Sequence, residues 1–189
     1  MKRLIVGITG ASGVIYGIRA LEMLRAAEYE THLILSPAGR ATIAQETSWS
    51  ISDVEALATV RHDHRDVGAS IASGSFRTRG MLVAPCSIKT LSAVAHSYST
   101  DLLSRAADVC LKEGRPLLLM VRETPLHKGH LKLMLAAADA GAIIFPPVPA
   151  FYGRPQSLDD VINATVGRAL ARLGIDNQGY AEWKGMGRP

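Results

Sequence analysis

The stretch Arg3-Leu4-Ile5-Val6-Gly7-Ile8-Thr9-Gly10-Ala11-Ser12-Gly13-Val14 decides how the chain is read. A short, almost wholly apolar run over Arg3–Thr9 breaks into a glycine-rich turn, and a helical pattern follows over Val14–Ala27. A strand apolar on both faces is buried on both faces, which is the habit of parallel sheets covered by helices. Outward from this unit the alternation repeats. Strands are expected at Thr31–Ser36, Gly80–Pro85, Pro116–Val121 and Ala142–Pro146. Helices are expected at Arg40–Glu46, Ser87–Ala95, Leu102–Lys112, Leu126–Ala140 and Ser157–Leu173, with another opening at Ser52-Asp53-Val54-Glu55, where the spacing is that of a capping box. Arg61–Arg79 and the tail after Gly174 read as loops. The expected fold is α/β, a single-domain doubly wound (Rossmann-like) parallel sheet.

Composition narrows the function. The 189 residues are 48% hydrophobic and 20% charged, which excludes intrinsic disorder and leaves apolar surface to bury between subunits. The net charge of +4 is scattered, and aromatics are 5%, so no nucleic-acid surface is expected and small anions suit the balance better. The apolar run after Met1-Lys2-Arg3 is too short for a signal peptide, and no stretch reaches the ~18 apolar residues of a membrane span. Cys86 and Cys110 have neither CxxC nor zinc-ligand spacing, so no metal site is expected and the protein reads as reduced and cytoplasmic.

In doubly wound folds, ligands sit at the carboxyl ends of the strands, which directs attention to Thr9–Gly13, Ser36-Pro37, Pro85–Thr90 and Arg122–His130. Glycines in the first loop let backbone approach a phosphate at a helix N-terminus, or serve only helix–strand packing. The spacing is not GxGxxG; Tyr16 stands where a third glycine belongs, and strand two ends without an acid for an adenosine ribose. A mononucleotide such as FMN fits this better than a dinucleotide. A Tyr180…Lys184 spacing of the YxxxK kind lies in the tail rather than on a central helix. Ser87 is placed as an N-cap with Thr90 a turn further on, so the two hydroxyls either hold a flavin's polar parts or simply cap. Cys86 reads as a buried structural thiol, and His62-Asp63-His64, His127 and His130 as solvated or helix-surface residues. Arg122-Glu123, directly after the most apolar strand, reads as a ligand-facing ion position. Phe151-Tyr152, after Pro146-Pro147-Val148-Pro149, lines a pocket or packs.

Taken together, Thr9-Gly10-Ala11-Ser12-Gly13, Ala72-Ser73-Gly74-Ser75, Pro85-Cys86-Ser87, Arg105–Val109 with Lys112-Glu113, Arg122-Glu123-x-Pro125 and Phe151-Tyr152 before Pro155 are familiar. In order and spacing the sequence resembles the UbiX-like flavin prenyltransferases, of the flavoprotein type, from strand one to about Trp183. The resemblance implies transfer of a dimethylallyl group from dimethylallyl phosphate to N5 and C6 of reduced FMN, without a metal. The prenylated FMN then serves a partner UbiD-like decarboxylase. It implies FMN binding by Gly10, Ala11, Ser12, Ser36, Ser87, Ile88, Lys89, Thr90 and Arg122, and proton handling near N5 by Ser12 and Glu46. It implies substrate binding by Tyr152 and Arg168, phosphate contacts by Lys112 and Glu123, and an aromatic wall at Trp183. It also implies a homo-oligomer, a dodecamer, with 1–174 as the FMN-binding domain and 175–189 as a tail contributing to a neighbouring site. Two departures stand out: Val67–Ser70 has no aromatic before the Ala-Ser-Gly-Ser loop, and Lys132-Leu133-Met134 replaces the family's acid and Asn before Met. The alternatives are an FMN-dependent decarboxylase of the cysteine-decarboxylase type and a non-catalytic flavin carrier.

Overall fold

A computed structural model describes residues 2–186. Met1 and the last three residues of the expected tail, Gly187-Arg188-Pro189, lie outside the described residues. Six strands form one parallel sheet: β1 (Arg3–Ile8), β2 (Glu30–Leu35), β3 (Val60–His62), β4 (Met81–Cys86), β5 (Leu117–Val121) and β6 (Ile143–Ile144). Their order is β3-β2-β1-β4-β5-β6, so strand order reverses between β1 and β4. The helices are α1 (Ile15–Ala26), α2 (Pro37–Glu46), α3 (Ile51–Leu57), α4 (Ile88–Ala95), α5 (Leu102–Lys112), α6 (Lys128–Asp139) and α7 (Leu158–Arg172).

The continuous apolar strands work because alternate side chains enter different cores. Leu4, Val6, Ile8, Leu82, Ala84, Leu118 and Met120 face the core closed by α1, α3 and α7. Ile5, Met81, Val83, Leu117, Leu119 and Val121 face the core closed by α4 and α5. Each fully buried Leu, Ile or Val contributes about 1.5–3 kcal/mol, so the two layers hold the central strands rigidly. Rigid strands in turn fix the loops at their carboxyl ends.

Some expectations are corrected. Helix α2 begins at Pro37 rather than Arg40, because Ser36 Oγ accepts from Gly39 N at 3.0 Å and Pro37 is pre-set for the first turn. The cap of α3 is Ser50, not Ser52; Ser50 Oγ accepts from Asp53 N at 3.1 Å. Strand β3 begins just ahead of the expected Arg61–Arg79 loop and takes in Arg61 and His62. It is a short edge strand without an apolar run, so nothing in its composition announced it. The tail is not free along its described length: Ile175 is buried in the α1–α7 core, and Asn177 Nδ2 donates to Gly167 O at 3.0 Å. No helix among the described residues is long and apolar enough to cross a membrane.

Candidate functional site

The β1–β4 switch point is tied together by one buried hydroxyl. Thr9 Oγ1 donates to Pro85 O at 2.7 Å and accepts from Ser87 N at 2.8 Å. It therefore joins the loop after β1 to the loop after β4, the two loops that frame the crevice. The role of each glycine follows from what a Cβ would strike. At Gly10 it would sit 2.3 Å from Ala38 Cβ, so only glycine lets the β1 loop pass the start of α2. At Gly17 it would sit 2.2 Å from Ala84 O. Gly17 thus does the helix–strand packing of a third fingerprint glycine, one residue after Tyr16.

The N-terminus of α1 is already claimed. Val14 offers no side-chain cap; instead Glu46, the last residue of α2, accepts from Gly13 N at 2.8 Å and Val14 N at 3.4 Å. Partial burial alone would raise the Glu46 carboxyl. The Ser12 hydroxyl, these two N–H groups and the charge of Arg122 outweigh it and hold the carboxyl below its ordinary range. An anionic carboxylate on those donors repels a phosphate dianion, so the Gly13 and Val14 N–H groups are not free to hold one. The donors left for an anion are at α2 and α4. Ser87 caps α4, accepting from Thr90 N at 3.4 Å with its Oγ 3.2 Å from Thr90 Oγ1.

Around these two N-termini lies a cleft of about 830 Å³, whose lining includes Gly10, Ser36, Ser87, Lys89 and Thr90. Five residues expected at a cofactor site are thus together. Ala11 and Ser12 continue the β1 loop, and Ile88 opens α4. Arg122 leaves the end of β5, its N–H donating to Cys86 O at 3.2 Å. Its charge acts on Glu46 and on Tyr16, whose hydroxyl burial pushes up and Arg122 partly restrains. A flavin mononucleotide fits this donor set: backbone and hydroxyl donors with Lys89 for the phosphate, and the Ser12–Glu46–Arg122 group for the polar ring edge.

A second cleft of about 530 Å³ lies beyond β6, and its lining includes Phe145, Tyr152, Arg168, Tyr180 and Trp183. Tyr152 meets Trp183 edge-on, with centroids 5.6 Å apart, and its hydroxyl donates to Ala181 O at 3.2 Å. The guanidinium of Arg168 lies 5.0 Å from the Tyr180 ring centroid. Aromatic faces with a cation suit a group that develops positive charge on carbon while releasing an anion. The three expected substrate residues, Tyr152, Arg168 and Trp183, therefore share one cleft.

Within one chain the remaining residues stand apart. Lys112 ends α5 and pairs with Glu113 beside Gly74; α5 runs away from the crevice, leaving Lys112 near the start of β5. Glu123 is exposed after β5, its Oε1 accepting from its own neighbour Thr124 N. Neither touches the Arg168 cleft in the protomer. Cys86 and Cys110 are buried free thiols, Cys110 pushed up to about 12 by burial and Cys86 further still. The His127 and His130 rings pack against each other, tilted by 35°, at the start of α6. Among the described residues no group of three or more His, Cys, Asp or Glu is arranged to hold a metal. Thr9, Gly17 and Tyr180 are site-building residues that the sequence did not single out for these roles. A hydroxyl on the last strand position was the available signal for Thr9.

A doubly wound parallel sheet with a crevice at its switch point is one architecture of nucleotide-binding proteins, and the flavoprotein family model matches residues 1–170, which makes the chain a flavoprotein. The flavin prenyltransferase UbiX of Escherichia coli K12 is 62% identical over 98% of this chain and 100% of its own length. AnUbiX (PadA1), crystallised with FMN and dimethylallyl pyrophosphate, superposes with a TM-score of 0.96 at 47% identity, over 98% of this chain and 99% of that one. A dodecameric FMN-dependent UbiX-like decarboxylase from Escherichia coli O157:H7 gives a TM-score of 0.94 at 46% identity, over 97% and 100%. The chain belongs to the UbiX-like flavin prenyltransferase family.

Proposed function

We propose that this protein transfers the dimethylallyl group of dimethylallyl phosphate to N5 and C6 of reduced FMN, making the prenylated flavin that a UbiD-like decarboxylase uses. The observation that carries the reading is the pairing of two different clefts on one chain. One offers helix N-termini, hydroxyls and Lys89; the other offers Tyr152, Trp183 and Arg168. A flavin carrier needs only the first. Family membership sets aside the cysteine-decarboxylase alternative.

In this reading reduced FMN supplies the nucleophilic ring positions, and the chain's residues do the rest. Lys89, Ser36, Ser87, Thr90 and the backbone of Gly10 and Ala11 hold its phosphate and ribityl chain, with Ile88 at the head of α4. Arg122 faces the ring edge. Ser12, hydrogen-bonded to the Glu46 carboxylate, moves a proton at the N5 side; an ionised Glu46 is the state that accepts one. Tyr152 and Trp183 flank the dimethylallyl carbons, and Arg168 receives the leaving phosphate.

Lys112 and Glu123 complete the phosphate site from neighbouring copies, in a homo-oligomer that we take to be a dodecamer. Exposed Leu126, Leu131, Leu135, Val148 and Phe151 support burial between copies. Residues 1–174 bind the flavin, and the tail after Gly174 serves a neighbouring site. Free buried thiols agree with a cytoplasmic enzyme.

The test mixes the protein with reduced FMN and dimethylallyl phosphate, follows the flavin spectrum and weighs the flavin by mass spectrometry. A flavin heavier by one dimethylallyl-derived unit is expected. An unmodified flavin with intact donor overturns the proposal, as does a dinucleotide extracted as the tightly held cofactor.

A further inference from the structure

Arg168 sits exposed on α7 between buried neighbours, and no ion pair among the described residues involves it. Glu182, in the same cleft lining, does not pair with it either. An arginine in that position is expected to sample many rotamers, and an anion that binds it must first order it. Here the guanidinium already has an aromatic neighbour. The guanidinium carbon lies over the Tyr180 ring, 5.0 Å from its centroid, and no hydrogen bond among the described residues uses the guanidinium N–H donors.

The contact is built by the backbone rather than by chance packing. A Cβ at Gly167 would lie 2.7 Å from Asn177 Oδ1 and 2.9 Å from Gly179 C. A Cβ at Gly179 would lie 2.9 Å from Asn163 O and 2.8 Å from Met23 Cε. Helix α7 and the tail therefore touch at two glycines. Asn177 fixes the approach, donating through Nδ2 to Gly167 O and accepting from Gly179 N at 2.9 Å. The next residue on each side is Arg168 and Tyr180, and the guanidinium of one lies over the ring of the other.

We propose that Tyr180 is a positioning residue: its ring face holds the Arg168 guanidinium in the orientation that receives the phosphate of the prenyl donor. The tyrosine of the YxxxK spacing thus acts through its aromatic face and not as a proton donor. The inference rests on the proposed function of the cleft, and deepens it.

The experiment compares Tyr180→Leu and Tyr180→Phe with the parent oligomer. It measures KM and kcat for dimethylallyl phosphate, FMN affinity, thermal midpoint, and calorimetric binding of dimethylallyl phosphate without reduced flavin. Tyr180→Leu should raise KM and the calorimetric Kd about three- to thirtyfold, the span a cation–aromatic contact supplies. Its kcat at saturation, FMN affinity and thermal midpoint should match the parent. Tyr180→Phe should restore parental values. Unchanged binding in Tyr180→Leu, an equal defect in Tyr180→Phe, or a parallel loss of FMN affinity would each overturn the inference. A parent that binds dimethylallyl phosphate but never prenylates flavin overturns the proposed function instead, while the binding comparison still decides the role of Tyr180.

Discussion

Thr9→Val removes the hydroxyl that joins the two crevice loops while keeping the side chain's shape. Thr9 is buried, so water cannot take its place. Two hydrogen bonds are lost. Pro85 O keeps a partner in Thr9 N at 3.3 Å, but Ser87 N loses the acceptor at 2.8 Å and stays beneath the α4 cap. One net hydrogen bond is worth about 0.5–1.5 kcal/mol and a stranded buried donor about 1–3 kcal/mol; Ser87 is half-buried and lines the cleft, which limits the second cost, so the expected loss is about 1–3 kcal/mol. For a chain of this length that lowers the thermal midpoint by roughly 2–12 °C. The cap is also displaced, so FMN should bind more weakly than in the parent. Thr9→Ser keeps both bonds and should fall much less. Thermal unfolding and fluorescence titration with FMN measure both effects. A Thr9→Val variant as stable as the parent, with parental FMN affinity, would refute the idea that this hydroxyl organises the crevice.

Ser12→Ala and Glu46→Gln should retain FMN yet slow prenyl transfer by about 10²–10⁴-fold, the usual contribution of positioned acid–base groups; full turnover in both removes them from the mechanism. Arg122→Ala should weaken flavin binding about tenfold or more, whereas Arg168→Ala should chiefly raise KM for dimethylallyl phosphate, since a charged hydrogen bond is worth ~1.5–3 kcal/mol. Identical FMN loss in the two variants contradicts that division. Stability should fall on acidification in two stages. Burial and then His32, against the pull of Asp66, hold His62 below its ordinary 6.5, so the fold takes up its proton at lower pH than the unfolded chain does. The unfolded chain therefore takes up that proton first, and stability declines as pH drops below about 6.5. Glu46 and Glu55, both held below 4.5, add stability that is present above that pH and lost below it. A His62→Gln variant whose urea midpoint still falls between pH 7 and 5.5 as steeply as the parent's would remove the first stage. Excess EDTA should leave prenylation unchanged; loss restored by Mg²⁺ would show that cations such as Arg168 do not suffice for the leaving group.

The candidate site was legible where chemistry is local. Ser87 announces its cap within a few residues of sequence and caps α4 as the pattern put it, while the need for glycine at position 10 comes from the start of α2, which the local sequence did not indicate. Glu46 shows the limit. Nothing at the end of α2 says that its carboxylate closes the N-terminus of α1, because that contact spans 33 residues and depends on how two helices meet over the sheet. The displaced cap at Ser50 and the unseen β3 are failures of the other kind: short elements hold too few residues for periodicity to speak.

What the sequence determined by itself was the layering. Strands apolar at every position can be satisfied only with helices on both faces, and this alone selects the parallel, doubly wound sheet and the ends of its strands as the place for ligands. Its residues also carried the family resemblance. The tertiary structure alone decided which of those residues are neighbours. It assigned the α1 N-terminus to Glu46 and left α2 and α4 for an anion, joined the two loops through Thr9, and brought the Arg168 guanidinium over the Tyr180 ring beside two touching glycines. It also left Lys112 at the far end of α5. The physical reason is range. Hydrophobic pattern is read over a few residues, whereas hydrogen bonds, stacking and charge act at ångström distances between segments that only the packed fold brings together.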